Sequence, residues 1–124
     1  MEKETCENDY VSFWMEDGVL VGMYKKDVII GLEAAKETVA LRKKFTGGIP
    51  YPALAYIKHV KVISKEARTY LADEGSDELT KGALVTDSGF SRILGNMFLA
   101  LDKPKMPTRM FTNKEEAIQW LKKQ

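Results

Sequence analysis

Two runs near the start of the chain, Tyr10 to Met15 and Val19 to Tyr24, are rich in β-branched and aromatic side chains. Glu16-Asp17-Gly18 between them supplies the Asp-Gly pair of a tight turn, which predicts an antiparallel hairpin. The period then changes. From Gly31 to Phe45, at about 100° per residue, Leu32, Ala34, Ala35, Thr38, Val39, Leu41 and Phe45 share one half of a helical wheel, and Glu33, Lys36, Glu37, Lys43 and Lys44 fill the other. Arg42 falls inside the apolar half. It is either an anchor for an anion or, the more ordinary use, an aliphatic stem lying on the core with its guanidinium at the rim or on a carboxylate. Gly47-Gly48 ends the helix.

Pro50 and Pro52 lead into Ala53 to Ile57, a short apolar run that predicts a buried strand. Ser64 stands as the N-cap of a helix whose Ala67, Tyr70 and Leu71 follow i, i+3, i+4 spacing, and Ser76 as the cap of a turn through Asp77 and Glu78. Ala83 to Thr86 predicts another buried strand. The next helix, from Gly89 to Leu101, carries Phe90, Ile93, Leu94, Met97, Phe98, Ala100 and Leu101 along one broad stripe, expected to be core. Its other face bears Ser91, Arg92, Gly95, Asn96 and Leu99, of which Arg92, Gly95, Asn96 and Leu99 form a candidate partner surface. Asp102 to Pro107 is a loop with two prolines, and Thr108 to Phe111 a brief strand. Thr112-Asn113-Lys114-Glu115 is a capping box for a last helix that buries Ala117, Trp120 and Leu121.

Strands alternating with helices predict an α/β fold: a mixed, mostly parallel sheet of about five strands, an N-terminal antiparallel hairpin and about four covering helices. Residues 1–9 are expected to be a flexible N-terminus and residues 10–124 a single domain. Ligands of such folds gather at the carboxyl ends of the strands, here Lys58 to Ser64 and Thr86 to Phe90.

Composition removes whole classes of function. The chain has 124 residues, 44% hydrophobic and 30% charged, enough for one ordinary core in a compact soluble domain. Lysine plus arginine outnumber aspartate plus glutamate only 19 to 18, so no bulk field draws nucleic acid. A single cysteine, Cys6, permits neither an internal disulfide nor a thiolate metal cluster. The opening Met1-Glu2-Lys3-Glu4 lacks the form of a signal peptide and no segment has the length of a membrane span, so a cytoplasmic location is expected. His59 is the only histidine, which excludes sites needing two, and neither the dinucleotide glycine fingerprint nor the phosphate-loop pattern occurs. No catalytic residue, metal or cofactor is expected, and an enzymatic role is the weakest reading.

The stretches "GNMFLALDKPKMPTRMFTNKEEAIQWLKK" and "PALAYIKHVKVISKEARTYLA" resemble the small bacterial STAS/SEC14-like domains, which are SpoIIAA-like in fold and grouped with the anti-sigma factor antagonists. The resemblance covers roughly residues 10–123. It implies a STAS-type sheet and a cytoplasmic, non-catalytic role, and the leading expectation is a domain acting by protein contact or self-association. The SEC14 half of the likeness implies the alternative, a carrier of a small apolar ligand or lipid, with Met97, Phe98 and Met106 lining a cavity. In the switching antagonists a strand runs into an Asp-Ser-Ser/Thr-Gly turn whose hydroxyl is phosphorylated. By element order the matching place here is Ile63-Ser64-Lys65-Glu66, without the aspartate or the glycine; Asp87-Ser88-Gly89 has the letters but follows the next strand. Ser88 therefore stands first as helix punctuation. Added negative charge at a helix N-terminus would still be stabilising, so Ser64 and Ser88 are retained as phosphorylation candidates. Lys58, His59, Lys61 and Lys65 around Ser64 form a candidate anion site, against the plainer alternative of a solvated charged loop.

Overall fold

The computed structural model describes residues 4–87 and 89–123. In chain order the elements are β1 (Thr5–Glu7), β2 (Val11–Glu16), β3 (Val19–Tyr24), β4 (Val28–Ile30), α1 (Leu32–Thr46), β5 (Tyr51–Tyr56), β6 (Val60–Ile63), α2 (Lys65–Ala72), β7 (Leu79–Val85), α3 (Gly89–Met97), β8 (Thr108–Phe111) and α4 (Lys114–Lys122). A single 3-10 turn spans Glu74–Ser76, and a wide π-type turn, Phe98–Asp102, continues α3.

The predicted hairpin forms between β2 and β3, and both turn residues take the left-handed conformation its tight turn requires, Asp17 at φ 54° and Gly18 at φ 77°. Six strands pair in the order β1-β2-β3-β5-β7-β8. The first three are antiparallel, and β3, β5, β7 and β8 run parallel. This is the mixed, mostly parallel sheet expected, widened by one strand: Thr5–Glu7, from the stretch assigned to a tail, pairs with Ser12 to Trp14. A separate parallel pair, β4 with β6, was not expected. Three residues are too few to display a period, and β6 lies in a segment that its lysines mark as a charged loop. Lys61 therefore projects from a strand, between buried Val60 and exposed Val62.

Alternation along the strands divides the core into two layers. On one face Val19, Val21, Leu54, Ala83 and Val85 pack against Ala117, Ile118 and Leu121 of α4. On the other face lie α1, α2 and α3. Gly47 at φ 65° closes α1 as expected, and Ser64 Oγ accepts from the amide of Ala67 at 3.0 Å, as its place before α2 predicts. The last cap shifts by one residue: Asn113, not Thr112, is the N-cap of α4, its Oδ1 accepting from Glu116 N at 2.8 Å. Ser76 lies within the 3-10 turn rather than starting one, and its hydroxyl donates to the carbonyl of Leu71 at 2.6 Å. Lys81 on β7 donates to the carbonyls of Trp120 (3.1 Å) and Lys123 (2.7 Å), tethering the end of α4 to the sheet. No helix among the described residues is long and apolar enough to cross a membrane.

Candidate functional site

The register of the central strands places small residues side by side. Across the face toward α1 and α2, one row reads Leu20, Ala53, Gly82, Thr108 and the next Phe13, Gly22, Ala55, Leu84, Met110. Its centre is Gly22, Ala53, Ala55 and Gly82, four positions that place at most one methyl each above the sheet. Over them lies a hollow of about 160 Å³, roofed by Thr38, Val39 and Arg42 of α1, Arg68 and Leu71 of α2, and Leu94 and Phe98. Two flexible side chains border it at the glycines. A Cβ at Gly22 would fall 2.8 Å from Phe13 Cε1, and one at Gly82 would fall 2.9 Å from Met106 Cε. Phe98 and Met106 line the hollow as anticipated for a carrier; Met97 does not.

The hollow has a polar side. Arg42 is 5% exposed, and its Nη2 donates to the carbonyls of Gly75 and Asp77, both at 3.0 Å. Of the two readings of this residue, the guanidinium turns inward and bonds backbone carbonyls instead of a carboxylate. Burial lowers its pKa from the ordinary arginine value; Glu78 and then Asp77 oppose the shift. Glu78 forms no ion pair with it, and Glu78 Oε2 is itself buried without a hydrogen-bond partner. Tyr24 also lines the hollow, and desolvation of its hydroxyl pushes the pKa up to about 12, with Arg42 pulling the other way. Arg68 is neutralised: its Nε lies 3.0 Å from Asp102 Oδ2, with both side chains largely buried.

Helix α3 lies the other way round from expectation. Its buried residues are Ser91 and Gly95, one turn apart, while Phe90 is 53%, Ile93 59% and Leu101 68% exposed. The stripe assigned to the core thus faces outward at those three positions, and only Leu94, Met97 and Phe98 of it are half-buried. The physical reason is close approach. A Cβ at Gly95 would overlap Met110 Sδ and lie 3.6 Å from Ile57 Cδ1, so the small face packs down and the bulky one turns out. Of the candidate partner surface, Arg92 and Asn96 are exposed, Leu99 is half-buried, and Gly95 lies against the sheet.

The candidates at the strand ends are spread over β6 and two turns. Lys58 is exposed and 3.9 Å from Asp87 Oδ2, so the turns after β5 and β7 adjoin. His59 is half-buried, its carbonyl accepting from the amide of Val28. The hydroxyl of Ser64 is committed to capping, and its amide to Ile30 O. Ser88 lies outside the described residues. At the end of β7, Thr86 is 1% exposed and its hydroxyl has no hydrogen-bond partner. Among the described residues no cluster of three His, Cys, Asp or Glu side chains could hold a metal. Sequence reasoning singled out Arg42 but missed the floor of the hollow; its one trace is the small residues two apart, Ala53 and Ala55, with Gly22 and Gly82 on the flanking strands.

The fold is similar to the crystal structure of an uncharacterized protein from the DUF3478 family with a SpoIIAA-like fold, from Shewanella loihica PV-4. The TM-score is 0.63 at 14% identity, covering 98% of this chain and 96% of that one, which establishes a SpoIIAA-like, STAS-type fold. No curated protein matches the sequence. The family model described as "Domain of unknown function (DUF7793)" matches residues 13–124, and the chain belongs to that family.

Proposed function

We propose that this STAS-like domain is a non-enzymatic binding module that holds a small apolar molecule between its sheet and helices α1 to α3. The observation carrying this reading is the hollow over Gly22, Ala53, Ala55 and Gly82. A cavity of about 150 Å³ lined by apolar side chains stays dry and takes up a molecule the size of benzene. The volume here is of that order, which suits a compact ligand and is far too small for a diacyl lipid. Native mass spectrometry of freshly purified protein tests the reading. The expected result is a small-molecule adduct on the wild type that is absent from Ala55→Leu, whose longer side chain fills the floor; a bare mass for both proteins overturns it.

The outward face of α3 favours a second reading, protein contact. Phe90 and Ile93 stand one turn apart on it with Leu101 beyond, all more than half exposed, and a second copy of the chain is the simplest occupant. Ile93→Glu is then expected to abolish concentration-dependent self-association in sedimentation velocity runs. Identical monomeric profiles for variant and wild type remove this reading.

A further inference from the structure

The polar side of the hollow narrows the chemistry of its occupant, and the inference rests on the ligand reading above. Arg42 is almost completely buried, yet both its protein hydrogen bonds leave from one nitrogen, Nη2. Among the described residues nothing accepts from Nε or Nη1, and no carboxylate closes an ion pair with the guanidinium. The neighbouring arginine on the same wall, Arg68, has Asp102. Arg42 is therefore the cation of the hollow that no carboxylate contacts directly; Glu78 and Asp77 favour its charge only through space. A guanidinium presents its donors as a planar fork that matches a carboxylate. Tyr24 lines the same hollow within the electrostatic reach of Arg42 and adds a hydroxyl.

We propose that the hollow takes a short-chain carboxylic acid, its carboxylate on the Arg42 guanidinium and its apolar tail over the floor formed by Gly22, Ala53, Ala55 and Gly82. By comparison with cavities of known occupancy, the volume accommodates roughly six to ten non-hydrogen atoms. Hexanoate falls in that range, and hexan-1-ol has the same chain without the charge.

Isothermal titration of the whole chain with these two probes tests the assignment. The wild type is expected to bind hexanoate about tenfold or more tighter than hexan-1-ol, and Arg42→Met to lose that preference while keeping its hexan-1-ol affinity. Should Arg42→Met fail to fold, the wild-type preference and Arg42→Lys decide: lysine keeps the charge but not the fork, so the preference shrinks without vanishing. Equal wild-type affinity for both probes, or undiminished hexanoate binding by Arg42→Met, overturns the carboxylate assignment and leaves the hollow as an apolar site. Binding of neither probe to the wild type overturns the ligand reading as well.

Discussion

Arg68 donates from Nε to Asp102 Oδ2 at 3.0 Å, tying α2 to the turn that ends α3, and the two side chains are only 12% and 6% exposed. Beside this contact the amide of Lys105 donates to Ala72 O, so the stretch after α3 is fastened to α2 twice. Removing one partner of a buried pair strands the other. Asp102→Leu is expected to cost about 3 kcal/mol, and Arg68→Met with Asp102→Leu together less than the sum of those two single variants. Urea denaturation at one pH gives the cycle; strict additivity would show that the pair is solvated in solution.

Gly95 is the residue on which α3 approaches the sheet. Gly95→Ala inserts a methyl into the space of the Met110 thioether and is expected to destabilise by about 1–3 kcal/mol. Shortening Met110 to alanine in the same chain should recover part of that loss, although Met110→Ala alone is destabilising. A neutral Gly95→Ala would mean that α3 does not lie on its small face.

The caps separate two adjacent residues. Asn113→Ala is expected to lower stability by about 1 kcal/mol through loss of the bond from Glu116 N, while Thr112→Ala, exposed and outside the cap, leaves the melting temperature nearly unchanged. The reverse order would restore the capping box at Thr112.

That one-residue shift illustrates how far the sequence carries. The hairpin, the caps at Ser64 and Gly47, the parallel strands and four helices were legible, because each depends on local turn chemistry or on a period several residues long. What escaped depends on neighbours across the sheet. β4 has no run long enough to show a period, and the orientation of α3 is decided by Met110 and Ile57 on other strands rather than by its own apolar stripe. The hollow is the extreme case. Gly22, Ala53, Ala55 and Gly82 are unremarkable along the chain and become a floor only through the register of three strands. Arg42 was visible as an exception on its helical wheel, but its bonds reach Gly75 and Asp77, more than thirty residues away.

Tyr24 gives a pH signature. Its folded pKa of about 12 lies above the ordinary tyrosine value of 10.0, so the folded state holds the phenolic proton more tightly than the unfolded chain. The associated stability is complete below the unfolded pKa and disappears as pH rises through the folded one. Relative to Tyr24→Phe, the wild type is expected to lose on the order of 2–3 kcal/mol between about pH 9 and pH 12. Denaturation curves of both proteins across that window check it, and parallel pH profiles would place the hydroxyl in water.

Methyl spectra of labelled protein titrated with hexan-1-ol read the hollow itself. Leu20, Ala53, Ala55, Leu84 and Leu94 line it, whereas Val21, Ala117 and Leu121 lie on the α4 side of the sheet. The expected result is saturable shifts in the first group with the second unmoved. Shifts confined to exposed Ile93 and Leu101, or spread equally over both faces, would contradict a ligand site between the sheet and helices α1 to α3.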